Sequence, residues 1–132
     1  MKDNFIDSNI FLYAFSTKDI IKQKTAAQII TENQIISVQV INEVSVNLIK
    51  KFHLNENEIE DFIISCYNRY KIIEFNKFIF LKASSIRRKY NISYYDSLIV
   101  SAAIYSNANI LYSEDMQHNL KIENLIIINP FK

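Results

Sequence analysis

The stretch Leu125-Ile126-Ile127-Ile128-Asn129 is a short run of apolar, mostly β-branched residues that Pro130 brings to an end. Its apolar residues follow one another without alternating with polar ones, which is typical of a strand buried on both faces of a parallel sheet. Similar runs occur earlier, at residues 4–6, 34–38, 71–75 and 109–113. The sequence therefore predicts a central sheet of five strands.

Between these runs the apolar residues recur with helical spacing. The predicted helices lie at residues 18–33, about 41–52, about 55–70, 77–90 and about 94–106. Asn55 is the expected N-cap of the third helix, and Cys66, Tyr67 and Tyr70 belong to its buried stripe. Tyr95 belongs to the apolar stripe of the last helix and is expected to be buried. Alternating strands and helices predict a three-layer α/β/α domain with a mostly parallel sheet, whose functional sites form beyond the carboxyl ends of the strands.

The composition excludes several classes of protein. A chain of 132 residues fits a single domain over residues 1–132, and a hydrophobic content of 49% excludes intrinsic disorder. The sequence contains no glycine, so it has no dinucleotide-binding G-x-G-x-x-G loop, Walker A loop, G-x-S-x-G elbow or EF-hand. Its formal charge of +1 alone indicates neither a nucleic-acid binder nor a membrane-surface protein.

The sequence also predicts where the protein resides. Its one cysteine, Cys66, cannot form an internal disulfide and is expected in the core. Asp3 and Asp7 stand where a signal peptide requires a basic and then an apolar segment, and no apolar run is long enough to span a membrane. We therefore expect a soluble cytoplasmic protein without membrane attachment.

Four acidic residues stand at one predicted edge of the sheet: Asp7, Glu43, Asp96 and Asp115. Asp7 and Asp115 follow strands, whereas Glu43 and Asp96 lie early in helices. Each also has an ordinary structural explanation: a helix cap for Asp7, a flank position for Glu43, a capping box with Ser93 for Asp96 and a turn for Asp115. In contrast, Glu56, Glu58, Glu60 and Asp61 are expected on the solvated face of their helix.

Taken together, the four acids indicate a metal site. Carboxylates that converge away from water repel one another and raise each other's pKa unless a cation compensates. Such hard oxygen ligands suit Mg²⁺ or Mn²⁺, which can activate water and stabilise the leaving oxygen in phosphodiester hydrolysis. Neutralising the four acids would raise the formal charge from +1 to +5. The basic pairs Lys50-Lys51 and Arg87-Arg88, with Lys89, could then contact phosphates, or they could simply be solvated helix ends.

Two further residues are candidates for contact with a nucleic acid. Tyr94 precedes Asp96 and could stack on a base. His118 follows Asp115 by three residues and could touch substrate or metal, although a role in stabilising the turn is favoured, because hard cations do not need imidazole. His53 ends a helix, where a cation complements the dipole.

The sequence resembles the PIN domain family, and most closely the small ribonucleases of the VapC toxin type. The resemblance rests on Phe5-Ile6-Asp7-Ser8-Asn9, Asn42-Glu43, the segment 93–99, the segment 111–118 and the closing Asn129-Pro130-Phe131. The pieces are short, but their order and spacing make the set specific, and they cover essentially the whole chain.

This resemblance implies a Rossmann-like fold in which acids matching Asp7, Glu43, Asp96 and Asp115 hold Mg²⁺ or Mn²⁺. Ser8 and Ser113 match hydroxyl positions beside those acids, and we count Asn9 with them as a supporting residue. The resemblance also implies endonucleolytic cleavage of RNA, often tRNA or rRNA, to 5′-phosphate and 3′-hydroxyl ends. Toxins of this type usually form homodimers and are neutralised by a cognate antitoxin.

Two other functions stay open. A HAD-like phosphatase also places an Asp after its first strand, but it needs a second Asp two residues later, where this chain has Asn9. A PIN-like module that binds RNA or protein without catalysis is the second alternative, and the presence of all four acids argues against it.

The absence of glycine also predicts how turns are built. Relatives often place glycine where this chain has Asn91, Asn107 and Asn119. Asparagine tolerates the left-handed region best after glycine. We therefore expect a positive φ angle at one or more of these three residues.

Overall fold

The computed structural model describes residues 1–132 and contains six strands and six helices. The strands are β1 (Lys2–Ile6), β2 (Asn33–Ser37), β3 (Lys71–Ile73), β4 (Ile110–Tyr112), β5 (Lys121–Ile122) and β6 (Leu125–Ile128). The helices are α1 (Ser8–Phe15), α2 (Ile20–Glu32), α3 (Val38–Lys50), α4 (Glu56–Arg69), α5 (Lys77–Lys89) and α6 (Tyr94–Tyr105). None of the helices combines the length and the apolar character that a membrane crossing requires.

The sheet has the strand order β3-β2-β1-β4-β6-β5, and every neighbouring pair is parallel except β5 with β6. The predicted three-layer α/β/α architecture with a mostly parallel sheet is confirmed. The predicted number of five strands is wrong, because Lys121–Ile122 forms a sixth strand against β6. Two residues are too short a run to show a strand pattern in the sequence.

Five of the six helices begin at a side chain that accepts a hydrogen bond from a backbone N–H group of the first turn, and α3 begins without one. Asn55 caps α4 in a full capping box with Glu58, as the sequence predicted. Ser93 caps α6 and accepts from the N–H of Asp96. Asp7 caps α1, which agrees with the structural explanation considered for this residue, although α1 is not among the five helices that the apolar spacing predicted. Three of these helix starts therefore depend on short polar side chains.

The core is a single cluster of 30 buried residues between the sheet and its helices. Cys66 lies in it, as expected, and burial raises the pKa of its thiol to about 11. The expectations for Tyr67 and Tyr95 are wrong, since both are exposed, Tyr95 to 65%. Tyr95 lies in the first turn of α6, and the continuously buried part of that helix begins only at Ser97. Helical spacing alone does not show how far a helix extends beyond the sheet it covers.

Asparagine does replace glycine in two turns. Asn107 has φ 63° and Asn119 has φ 68°, which confirms the prediction at two of the three positions. Asn91 does not have a positive φ angle, because a bond from Ile92 N–H to Tyr90 C=O (3.0 Å) closes a three-residue turn around it, and the common form of that turn has negative φ. His53 (φ 57°) and Glu123 (φ 54°) are left-handed without having been predicted.

Candidate active site at the carboxyl edge of the sheet

The topology brings the four predicted acids to one edge of the sheet. β1, β2 and β4 are adjacent and parallel, so their carboxyl ends lie side by side. Asp7 directly follows β1 and Asp115 follows β4 within three residues. Glu43 lies in the second turn of α3, which starts where β2 ends, and Asp96 lies in the first turn of α6. We call these four residues the acid cluster.

Asp7 is the most deeply buried member, with 3% of its surface exposed. Its Oδ1 accepts from Ser8 N–H (2.7 Å) and its Oδ2 from the Ser113 hydroxyl (2.8 Å). Burial raises the pKa of Asp7 to about 7, against these two hydrogen bonds, and the charges of Glu43 and Asp96 add to the increase. Asp7 is therefore both a helix cap and a carboxylate kept from water among other carboxylates.

Glu43 and Asp96 are half-buried and approach the same space from α3 and α6. Burial raises the pKa of Glu43, and the charges of Asp96 and Asp115 raise it further. Burial also raises the pKa of Asp96, with a contribution from the charge of Asp115. Each of the four acids is thus coupled electrostatically to at least one other member of the cluster.

Gln39 supports Glu43 and was not singled out in the sequence. It is buried on α3, one turn before Glu43, and its Nε2 donates to Glu43 Oε1 (3.3 Å) and to the carbonyl of Tyr95 (3.2 Å). Gln39 therefore joins the helix that carries Glu43 to the turn that carries Asp96. The only available sequence signal was the i, i+4 spacing of Gln39 and Glu43.

Asp115 is the exposed member, and Asn9 on α1 holds it. Asn9 Nδ2 donates to Asp115 Oδ2 (3.0 Å), while Asn9 Oδ1 accepts from the N–H of Glu114 (3.3 Å). Ser8, Asn9 and Ser113, the predicted supporting residues, thus contact the acid cluster directly: two through Asp7 and one through Asp115.

The neighbouring acid Glu114 belongs to a different group, which the sequence did not reveal. Tyr13 donates to Glu114 Oε1 (2.6 Å), and Lys22 Nζ forms an ion pair with Glu114 Oε2 (2.9 Å). Lys22 also lies over the rings of Tyr13 (4.8 Å) and Phe131 (5.4 Å). We call Tyr13, Lys22, Glu114 and Phe131 the Glu114 cluster. It connects α1, α2 and the C-terminal segment to the loop that carries Asp115.

The acid cluster has no cationic partner within the protein. The two ion pairs of the structure join Lys22 to Glu114 and Lys82 to Glu123, and neither includes a member of the cluster. As the side chains lie in this structure, no group of three or more His, Cys, Asp or Glu residues is arranged to hold a metal ion. Four hard oxygen donors with uncompensated charge nevertheless fit a divalent ion such as Mg²⁺ or Mn²⁺. The side chain of Gln39, which contacts Glu43, has a buried oxygen, Oε1, without a hydrogen-bond partner in the protein.

The predicted basic and aromatic residues have different surroundings. Arg87 donates to Ser97 (2.7 Å) and stacks over the exposed ring of Tyr94 (4.6 Å), so both flank the start of α6. Arg88 contacts Ser84 on its own helix. His118 Nδ1 accepts from Asn129 N–H (2.9 Å), a bond that supports its role in stabilising the turn. His53 lies beyond the end of α3 with its side chain exposed.

Two cavities meet at Asp115. The first, which we call the lysine cleft, lies between α1 and α3 and has a volume of about 480 Å³. Glu43, Lys18 and Lys51 are among its lining residues. Lys50 is exposed and does not line it. The second, which we call the side pocket, has a volume of about 340 Å³ and is bounded by the α5–α6 and β4–β5 loops. Its lining includes Asn91, Ile92, Ser93, Met116, Gln117 and Leu120, in addition to Asp96 and Asp115. The acid cluster thus stands between a cleft with cations and a pocket without them.

A parallel α/β/α sheet with acids assembled at the carboxyl ends of its strands defines a class of Rossmann-like domains with an acidic site. The particular family is the PIN domain family, to which the chain belongs: the family model "PIN domain" matches residues 5–121. No curated protein matches the sequence.

Solved structures of toxin–antitoxin proteins share this fold. A toxin–antitoxin complex from Klebsiella pneumoniae is 20% identical with a TM-score of 0.74, over 97% of this chain and 98% of that one. VapBC2 from Rickettsia felis, bound to a DNA fragment from its promoter, is 22% identical with a TM-score of 0.66, over 94% and 96%. VapC20 from Mycobacterium tuberculosis, described as a toxin that cleaves the sarcin–ricin loop, is 12% identical with a TM-score of 0.67, over 86% and 90%. At these identities the likeness establishes the fold.

Proposed function

We propose that this protein is a metal-dependent endoribonuclease and the toxin of a toxin–antitoxin pair. The observation that carries the proposal is the acid cluster itself, in which four carboxylates share one edge of the sheet without a protein cation. Burying charges without compensation is costly, so such a cluster is maintained when an external cation completes it. Membership of the PIN family and the toxin–antitoxin neighbours support the reaction class.

Asp7, Glu43, Asp96 and Asp115 would hold Mg²⁺ or Mn²⁺, with Ser113 and Gln39 orienting the first two carboxylates. When bound, the ion supplies a water of lowered pKa and charge neutralisation at a phosphate oxygen. Asp7 is fixed by hydrogen bonds to both carboxylate oxygens and, as the most buried of the four acids, forms the floor of the site. Asp115 is exposed and held by Asn9, which places it where a phosphodiester would arrive from solvent.

The lysine cleft gives the RNA backbone a path to the acids. Lys18 and Lys51 line it together with Glu43 and Asp115 of the acid cluster. Lysines next to a site of neutralised carboxylates can contact phosphates on either side of the cleaved bond. The substrate is RNA, with tRNA or rRNA the leading candidates. The partners are a cognate antitoxin and a second copy of the chain, and the protein acts in the cytoplasm.

The test is cleavage of total RNA and of defined tRNA and rRNA fragments with Mg²⁺ or Mn²⁺ and with EDTA. Asp7→Asn and Asp96→Asn are compared with wild type, and Asp61→Asn is the control because Asp61 is an exposed acid on α4. We expect metal-dependent cleavage by wild type and Asp61→Asn only. Equal cleavage by all four proteins would refute the mechanism.

Toxicity needs a separate test. Expression of the wild-type chain should arrest growth, co-expression of the product of the adjacent gene should relieve the arrest, and Asp7→Asn should not arrest growth. A wild-type chain that cleaves RNA in vitro and leaves growth unaffected would indicate a processing nuclease instead of a toxin. A chain that binds RNA with unchanged affinity in EDTA and never cleaves it would be the non-catalytic module.

A further inference from the structure

The side pocket differs from the rest of the site in its chemistry. Apart from Asp96 and Asp115 at one side, its lining has no charged residue. Four apolar or aromatic residues, the buried Met116 and the half-buried Tyr90, Ile92 and Leu120, line it together with polar side chains. Its volume of about 340 Å³ falls within the range of roughly 300–1,000 Å³ that small-molecule sites occupy.

The rim of this pocket offers hydrogen bonds without charge. Asn91 and Gln117 are exposed there, and each carboxamide has both a donor and an acceptor. A phosphate would find no cation in the pocket and would be repelled by the two carboxylates beside it. A flat, neutral ring with donors and acceptors on its edge can contact the apolar side chains of the lining with its face and the two amides with its edge.

The wall that carries Gln117 and Leu120 is held in place before any ligand arrives. Leu120 N–H bonds to Gln117 C=O (3.2 Å) across the turn in which Asn119 is left-handed. Asn119 N–H donates to Ile127 C=O (2.8 Å), Ile127 N–H donates to Leu120 C=O (2.9 Å), and His118 accepts from Asn129 N–H (2.9 Å), so three bonds tie the turn to the end of β6. A preformed wall lowers the ordering cost of binding.

We propose that the side pocket binds one unpaired nucleobase of the RNA strand, beside the phosphate that lies at the acid cluster; this rests on the proposed ribonuclease function. The pocket meets the acid cluster at Asp96 and Asp115, so a base in the pocket and a phosphate at the acids belong to neighbouring positions of one strand. The phosphates leading away from the site then follow Lys18 and Lys51 in the lysine cleft.

The test uses uncharged nucleosides in EDTA, so that neither metal nor catalysis is required. Adenosine, cytidine and uridine are titrated into ¹⁵N- and methyl-labelled wild-type protein, with ribose as the probe that lacks a base. We expect saturable shifts at millimolar nucleoside in the side-chain amides of Asn91 and Gln117 and in the methyl group of Met116, and none with ribose. Equal shifts with ribose, or nucleoside shifts confined to other parts of the protein, would overturn the proposal.

Variants make the location specific. The double substitution Asn91→Ala and Gln117→Ala changes two exposed side chains and is expected to weaken nucleoside binding about tenfold. Asn124→Ala is the matched control, because Asn124 is an exposed amide at a separate cavity. Unchanged affinity in the double variant, with core methyl signals at their wild-type positions, would refute the proposed pocket.

The outcomes also separate this proposal from the ribonuclease function. RNA cleavage without nucleoside binding would refute the proposed base-binding pocket and be consistent with the ribonuclease function. Nucleoside binding without any RNA cleavage would support the pocket and contradict the proposed catalysis. N-acetylarginine amide is the probe for a protein side chain. Shifts of the pocket signals with that probe, and none with nucleosides, would assign the pocket to a protein partner instead.

Discussion

Glu114 and Asp115 are adjacent in sequence, yet they belong to two acidic groups with opposite electrostatics. In the Glu114 cluster, partial burial alone would raise the pKa of Glu114, but the hydrogen bonds from Tyr13 and Lys22 outweigh it and lower the pKa. In the acid cluster, burial and neighbouring carboxylates raise the pKa values of Asp7, Glu43 and Asp96. An acid that the protein neutralises itself has a structural role. Acids that the protein brings together without a cation need one from outside.

The first prediction uses these neighbours as a matched pair. Asp115→Asn should lower the rate of RNA cleavage by at least about 100-fold, because even outer-shell partners of a metal site contribute about 10–100-fold. Glu114→Gln should keep the rate within a few-fold of wild type, since Glu114 already has protein partners. Single-turnover cleavage of one defined RNA at saturating Mg²⁺ measures both variants. A larger loss of cleavage rate in Glu114→Gln than in Asp115→Asn would contradict the assignment of Asp115 to the metal site and of Glu114 to a structural role.

The second prediction concerns the stability of the metal-free protein. Asp7 has a pKa of about 7 when folded and an ordinary value near 3.8 when unfolded, so between these values the folded state binds the extra proton. The free energy of unfolding should therefore fall as the pH rises from about 4 to about 7, on the order of a few kcal/mol.

Urea unfolding in EDTA at several pH values measures this change. Asp7→Asn should flatten the profile and be more stable than wild type at the alkaline end. Saturating Mg²⁺ or Mn²⁺ should restore the stability of wild type there, because a ligand that binds only the folded state stabilises it. An Asp7→Asn profile as steep as that of wild type would show that other groups cause the dependence.

The third prediction tests whether an uncharged side chain positions Glu43. Gln39→Met removes the bonds to Glu43 and to the Tyr95 carbonyl and should weaken Mn²⁺ binding about tenfold. Gln28→Met is the matched control, because Gln28 donates to Glu32 with the same i, i+4 spacing and the same distance of 3.3 Å on an exposed face of α2. Calorimetric titration with Mn²⁺ measures the affinities. Equal affinities in the two variants would show that Gln39 does not position Glu43 for metal binding.

The smallest expected effect belongs to Lys22. Lys22→Met removes the ion pair with Glu114 and should lower Tm by no more than about 5 °C, because partly exposed ion pairs contribute little. The loss should be largest near neutral pH and should disappear in acid. A group whose pKa is lowered on folding contributes its stability above its ordinary pKa and loses it as the pH falls through the folded value. Thermal unfolding at neutral and acid pH measures it.

The sequence predicted those parts of the fold that depend on one periodic pattern. β6 is recognisable because four apolar residues follow one another in it, two of them fully buried, and α4 because Asn55 and Glu58 form its capping box. β5 was missed because two residues cannot show a period. The burial of Tyr95 was wrong because its helix extends beyond the sheet, and the length of that extension is a tertiary property.

For the candidate site, the acids could be placed and their partners could not. Asp7 and Asp115 follow strands, so the topology of a parallel sheet is enough to place them at one edge. The contacts of Asn9 with Asp115 and of Lys22 with Glu114 join residues about a hundred positions apart, and only the packed structure shows them. Gln39 is intermediate, since its spacing from Glu43 was visible but its contact with the Tyr95 carbonyl was not.

The two outer strands of the sheet bear on a different property, the resistance of the protein to aggregation. The Leu-Ile-Ile-Ile run of β6 has the composition of a segment that adds strands from other molecules when it is exposed. It is covered on its outer side by β5, which has two residues, and the opposite edge is β3, which has three. Each edge strand begins with an exposed lysine, Lys71 or Lys121. Very short, charged edges give a second chain almost no backbone to pair with, so this chain can concentrate isoleucine in its central strands and remain dispersed.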